Sequence, residues 1–422
     1  MISWEYPPYV VGGLGKHVAE LVPALSQVIE CDSPPYIDLL TFDHNTELSQ
    51  LADDTHSIHY EHQNEYLTIY WVNRATPACN GPDDLYQNII ADNYILVGAA
   101  ERLVKGLTRG SAIDNKESCP YDLIHIHDWL TGEAGIILKQ TWKTPLVATI
   151  HATEQGRHQG HLPNLLSHQI SHMEWRICYE AWHVIVCSHF MRAELSRQIS
   201  VPQDKVSVIS NGISFDDLHT LPRRQARTLR QQYAEPNQQL LFFVGRITHE
   251  KGPQVLIRAM PDILAYFPNS QLLLAGKNSE RLLSLASEFG VQHAINFLGY
   301  IDDQERDSLY QIVDTAIFPS LYEPFGIVAL EAMALGCNLI VSDVGGLGEV
   351  VHHMENGLTI YPNDPASIAW AVRQIFEDPI AARQRSLYAQ QQVRAFYNWH
   401  HIATKTVQLY QEIIAARQQI TW

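Results

Sequence analysis

Short β-rich runs alternate with longer amphipathic stretches from one end of this chain to the other, and that alternation limits the fold more than any other feature. The runs Ile37–Phe42, Leu123–His127, Leu146–Ile150, Val184–Cys187, Leu240–Val244, Gln271–Ala275, Thr315–Phe318 and Asn338–Val341 are mostly apolar. Between them lie Gly15–Gln27, Asp92–Leu107, Lys251–Phe267 and Ile327–Leu335, whose apolar residues recur at helical spacing. Strands covered on both faces need continuous apolar runs, and parallel neighbours need crossover helices. The pattern predicts an α/β protein with parallel sheets.

With 422 residues the chain exceeds a single ordinary core and suits two domains. Two β/α series are separated by a polar stretch, Asp216 to Gln239, which reads as a connection. We place the domains at 1–212 and 213–397, followed by a terminal helix over 398–422 that packs back on the first domain. Its apolar side comprises Ile402, Val407, Leu409, Ile413 and Ile414. The first strand, Met1 to Trp4, is short, as where a chain continues upstream or the edge of a sheet is clipped.

The formal charge of -17 excludes a general nucleic-acid binder, because a phosphate backbone selects a basic face. No apolar run reaches the roughly 20 residues that span a bilayer, so no membrane partner is expected. Six scattered cysteines without a C-x-x-C pair point to a reducing, cytoplasmic setting rather than to disulfides or zinc. Among the 21 histidines, His125, His127, His151 and His158 are those a metal site would draw on. Metal-binding spacings such as H-E-x-x-H are missing, so the expectation is no metal and no cofactor. Oligomeric state is not legible.

Two segments in the second half carry chemistry. In Val244-Gly245-Arg246-Ile247-Thr248-His249-Glu250-Lys251-Gly252-Pro253 a strand ends, a turn follows, and Pro253 suits the first turn of a helix. Arg246 and Lys251 at a strand end can converge on one diphosphate, the Arg as a planar fork and the Lys as a point charge. Two surface cations on a loop would look the same in isolation. In Glu323-Pro324-Phe325-Gly326-Ile327 through Glu331, one carboxylate sits on a loop and the second about two turns into a helix, broadly on one face. The helix start at Phe325, Gly326 and Ile327 offers free N–H groups to a phosphate. A capping Glu323 and a solvated Glu331 are the plainer alternatives, although Ala329, Leu330, Ala332 and Met333 give Glu331 apolar surroundings.

Together these segments resemble the retaining glycosyltransferases of the two-Rossmann (GT-B) type, the group of glycogen and starch synthases and of sucrose and sucrose-phosphate synthases. Arg246 and Lys251 match that family's R-x4-K pair, Glu323 and Glu331 its E-x7-E pair, and Asp343-Val344-Gly345-Gly346 the loop that follows. The resemblance spans nearly the whole chain and implies two Rossmann-like domains facing an interdomain cleft. It also implies that Glu323 holds sugar hydroxyls and that Glu331 takes the ribose.

Three loops of the first half fit the same family. Gly12 and Gly13, in Tyr9-Val10-Val11-Gly12-Gly13-Leu14-Gly15-Lys16, let backbone approach a ligand closely, and in the family this loop covers the donor diphosphate. Asp128, in His125-Ile126-His127-Asp128-Trp129, matches a position near the acceptor. His151, in Thr149-Ile150-His151-Ala152-Thr153-Glu154, matches the histidine that lines the donor sugar. Alone, His151 would read as a structural histidine.

The resemblance implies transfer with retention of anomeric configuration. The acceptor attacks from the face the diphosphate leaves, and the departing phosphate oxygen takes the acceptor's proton. Family members that use ADP-glucose carry a Lys two residues before the paired glycines, where this chain has Val10, so UDP-glucose is the expected donor. Arg157 and His158, Arg176, and Arg102 with Lys105 form a cationic group suited to a phosphorylated acceptor, though each also reads as a solvated or ion-paired side chain. The first expectation is a compact enzyme of the sucrose-phosphate synthase type acting on fructose 6-phosphate, and the runner-up is a glucan synthase. A nucleotide-sugar epimerase or a non-catalytic binder on the same fold is the rival from another class. A binder would normally have lost one of Arg246, Lys251, Glu323 or Glu331, and all four are present.

Overall fold

The computed structural model describes residues 1–28, 34–44, 58–74, 84–110 and 119–420. Cys31, Cys79 and the last two residues lie outside that set. Two compact units form: Met1–Ser210 together with Trp399–Trp422, and Asn211–Asn398.

In the first unit, β1 (Ile37–Asp43) pairs in parallel with β3 (Leu67–Asn73), and β3 pairs antiparallel with β2 (Ile58–Asn64). A second set, β4 (Ile124–His127), β5 (Leu146–Ile150), β6 (His183–Val186) and β7 (Val206–Val208), is parallel throughout. The start of the chain joins the two sets. Ile2 donates its amide to His125 O at 2.8 Å, and Ser3 donates to Leu40 O at 3.1 Å. The short first strand thus lies between β1 and β4, and the loops after it and after β4 emerge where the strand order reverses.

The terminal helix, Trp399–Gln418, belongs to this unit. Its buried Ile402, Val407, Leu409 and Ile413 share a core with Leu14, Val18, Leu21 and Val22 of the helix Gly13–Leu25. Trp399 anchors that contact by donating its indole N–H to Glu20.

The second unit is one parallel sheet of β8 (Leu240–Val244), β9 (Gln271–Ala275), β10 (Ile295–Gly299), β11 (Thr315–Phe318), β12 (Leu339–Ser342) and β13 (Leu358–Ile360). Its order, β10-β9-β8-β11-β12-β13, is that of a doubly wound dinucleotide fold. Such a sheet has a crevice beyond the carboxyl ends of the two strands where the winding reverses, here β8 and β11.

The polar stretch from Asp216 to Gln239 is more than a connection: it contains the helix Arg223–Tyr233. No residue of that helix is buried, so it lacks the apolar stripe that would betray it in sequence. Arg230 fastens it, donating to Ile312 O and, at 2.8 Å, to the Asp314 carboxylate. β2 also escapes the sequence reading, because its His, Glu, Gln and Asn side chains are exposed and leave no apolar run. Among the described residues no helix is long and apolar enough to cross a membrane.

Candidate active site

In the second unit the two motifs meet at the strand-order reversal. After β8 the chain turns through Arg246 and a single helical turn, His249–Lys251, into the helix Pro253–Tyr266. Gly252 holds φ at 71°, and a Cβ there would stand 1.9 Å from Pro319 O, so only glycine lets this turn lie against the end of β11. Glu250 O accepts the Leu321 amide at 2.7 Å and pins the two loops together. Lys251 Nζ then reaches Glu323 Oε2 at 2.6 Å. Arg246 remains half exposed and pairs with Glu250 at 3.2 Å.

The loop after β11 is equally fixed. Gly326, at φ 102°, begins the helix Ile327–Ala334, and a Cβ on it would strike Leu347 at 2.5 Å. Phe325 is buried edge-on against Tyr397. Gly346 donates its amide to Glu323 O at 2.9 Å, so the segment Asp343–Gly346 braces the carboxylate loop. Glu331 is enclosed (2% exposed) rather than solvated, with Arg306 Nε 3.3 Å from its Oε2. Arg306 comes from the helix Asp303–Tyr310, and no local spacing in the sequence links it to Glu331.

In the first unit, Asp128, His151 and the glycine-rich loop each stand at strand ends. Asp128 occupies left-handed backbone, φ 55°, and its carboxylate accepts the His151 amide at 2.7 Å. It therefore shapes the loop carrying His151. Burial raises the Asp128 pKa to about 6, against the opposing pull of the His151 amide and of Arg157. His151 is lowered to about 3, first by burial and then by the positive charge of Arg157, so its ring is neutral at pH 7. His151 Nε2 lies 3.2 Å from His127 Nδ1.

The glycine-rich loop holds a feature the sequence reading missed. Glu5 Oε2 accepts the amides of Val11 at 2.9 Å and of Gly12 at 3.2 Å. A carboxylate thus sits on amides expected to face a diphosphate, and an acidic residue shortly before a glycine-rich turn was the available signal. Gly13 begins the helix Gly13–Leu25.

The cations proposed for an acceptor come from three helices or their ends. Arg176 is paired with Glu133 at 2.8 Å, and His158 with Glu154 at 3.1 Å. Arg102 and Lys105 stand exposed on a different helix, Leu85–Gly110. Arg157 is exposed, and its charge acts on Asp128, His151 and Glu174.

Comparison with known proteins agrees with this geometry. Residues 225–392 match the family described as Glycosyl transferases group 1, and residues 68–217 match Glycosyltransferase Family 4. The chain is 34% identical to a glycogen synthase of Mycobacterium tuberculosis, over 97% of this chain and 93% of that protein. It is 35% identical to an uncharacterized glycosyltransferase of Methanocaldococcus jannaschii, over 97% of each. Among solved structures, a sucrose-phosphate synthase from Thermosynechococcus elongatus superposes with a TM-score of 0.74 at 26% identity, covering 98% of this chain and 99% of that one. Two Rossmann-like units, the paired Lys251 and Glu323 at a strand-order reversal, and these likenesses lead to one assignment: the chain belongs to the group 1 glycosyltransferases of the GT-B fold.

Proposed function

We propose that this protein is a retaining glucosyltransferase that moves glucose from UDP-glucose to a small phosphorylated sugar, with fructose 6-phosphate as the first choice. The observation that carries the acceptor class is Arg157, an exposed cation whose field acts on Asp128 and His151. Arg176 and His158, committed to Glu133 and Glu154, contribute less to phosphate recognition than their sequence positions imply.

In this reading Lys251, Arg246 and the helix start at Phe325, Gly326 and Ile327 stabilise the negative charge that grows on the leaving diphosphate. Glu323 is doubly occupied: it orients Lys251 and accepts hydrogen bonds from the sugar. Glu331, held by Arg306, accepts from the ribose. Neutral His151 contacts the sugar without adding positive charge where an oxocarbenium develops. Glu5 yields the Gly12 amide to the diphosphate on binding. The side-chain cations do the charge work, so turnover requires no metal.

A second reading, elongation of a glucan, is favoured by the relative named a glycogen synthase. The two are separated by products: NMR of the reaction with each acceptor identifies the new linkage and its anomeric configuration. In Arg157→Ala the KM for the sugar phosphate rises at least about tenfold, as for a lost charge-assisted contact, with the donor KM unchanged. An unchanged acceptor KM, or turnover with glycogen alone, overturns the phosphorylated-acceptor reading.

A further inference from the structure

Three imidazoles converge in the first unit, each from a different element. His17 comes from the helix Gly13–Leu25, His127 from the end of β4 and His151 from the loop after β5. One ring nitrogen from each lies within 4.8 Å of the other two. His127 Nδ1 and His151 Nε2 are already 3.2 Å apart, close to the roughly 3.3 Å that separates two tetrahedral nitrogen ligands at a metal distance of about 2.0–2.1 Å. The third nitrogen, within 4.8 Å of the others, needs a side-chain movement of up to about 1.5 Å to complete the set. We propose that His17, His127 and His151 form a binding site for one divalent transition-metal ion of the zinc class, with water as the remaining ligand.

Two further observations support the choice. His125, beside the trio, is excluded as a ligand because Tyr410 OH lies 2.6 Å from one ring nitrogen and Thr149 Oγ1 2.7 Å from the other. Imidazoles alone, without carboxylates, select zinc, copper, nickel or cobalt over magnesium or calcium. The site serves regulation rather than the reaction: an ion here captures His151 and withdraws it from the donor sugar. That last consequence rests on the function proposed above; binding of the ion does not.

The test uses the whole protein, stripped with chelator and dialysed against micromolar Zn2+, with bound metal quantified by elemental analysis. One equivalent is expected in the parent. Binding at least about tenfold weaker is expected in His17→Gln and in His127→Gln, while exposed His400→Gln and His401→Gln keep it. Thermal unfolding in chelator shows whether each variant folds. The parent titrated with Co2+ needs no variant, since intense visible d–d bands report a four- or five-coordinate nitrogen-rich site. Absence of bound Zn2+ in the parent, binding unaffected in both folded variants, or only the weak bands of octahedral Co2+ overturns the proposal. Because no donor sugar is present, this result is independent of whether the transferase reading holds.

Discussion

Lys251 Nζ donates to Glu323 Oε2 at 2.6 Å, tying the loop after β8 to the loop after β11 where the order of the sheet reverses. Both side chains are largely enclosed, so each is a group whose loss leaves the other without its counter-charge. Lys251→Ala and Glu323→Ala are expected to lower turnover at least about a hundredfold, the scale for a removed transition-state charge contact. Circular dichroism of both variants should remain that of the parent. Near-parental turnover in either would remove the pair from the site.

Two glycines separate ligand approach from folding. A Cβ at Gly12 meets nothing within 4 Å, and its backbone is extended, so Gly12→Ala should leave the unfolding midpoint unchanged. If the diphosphate seats on this loop, the same methyl group obstructs it, and the donor Kd rises at least about tenfold, or about 1.4 kcal/mol. Gly252→Ala should do the reverse and damage the second unit, because the new Cβ overlaps Pro319 O at positive φ. Donor titration by calorimetry beside thermal unfolding reads both effects. Unaltered donor affinity in Gly12→Ala counts against the loop as a phosphate seat.

Glu174 supplies a pH dependence with a definite sign. It is buried and accepts the Glu154 amide at 2.8 Å, and burial, joined by the charges of Asp128 and Glu154, raises its pKa well above the ordinary 4.5. Above about 4.5 the unfolded chain has released this proton while the folded chain still holds it. The contribution is therefore full at low pH and lost as pH rises toward the folded value. Glu174→Gln imitates the protonated form. It should stabilise the protein more at pH 8 than at pH 5. Equal effects at the two pH values in urea unfolding would contradict this assignment.

What the sequence disclosed, and what it withheld, follows from distance along the chain. β5, β8, β9 and β11 were legible to the residue because each is a short apolar run between turns. Arg246, Lys251, Glu323 and Gly326 were legible because their motifs are local to one loop and one helix start. Arg306 on Glu331 was not, since 25 residues and a strand separate them and burial of the carboxylate arises only in the fold. Glu5 on the glycine-rich loop was missed because an acidic residue there carries no periodic signal. The histidine trio draws on three elements, and only the sheet order brings them together. Conversely, of the five cations grouped from the sequence, Arg176 is claimed by Glu133, a carboxylate 43 residues away that sequence order does not mark as its partner, and His158 by Glu154 one helical turn before it.

The most direct test of the account is release of nucleoside diphosphate from UDP-glucose and from ADP-glucose, each with fructose 6-phosphate, fructose or glycogen, in the parent and in Lys251→Ala. The expected result is release from UDP-glucose that depends on fructose 6-phosphate and falls at least about a hundredfold in the variant. Release that is equally fast in Lys251→Ala, or no release from either donor with any acceptor, would contradict it.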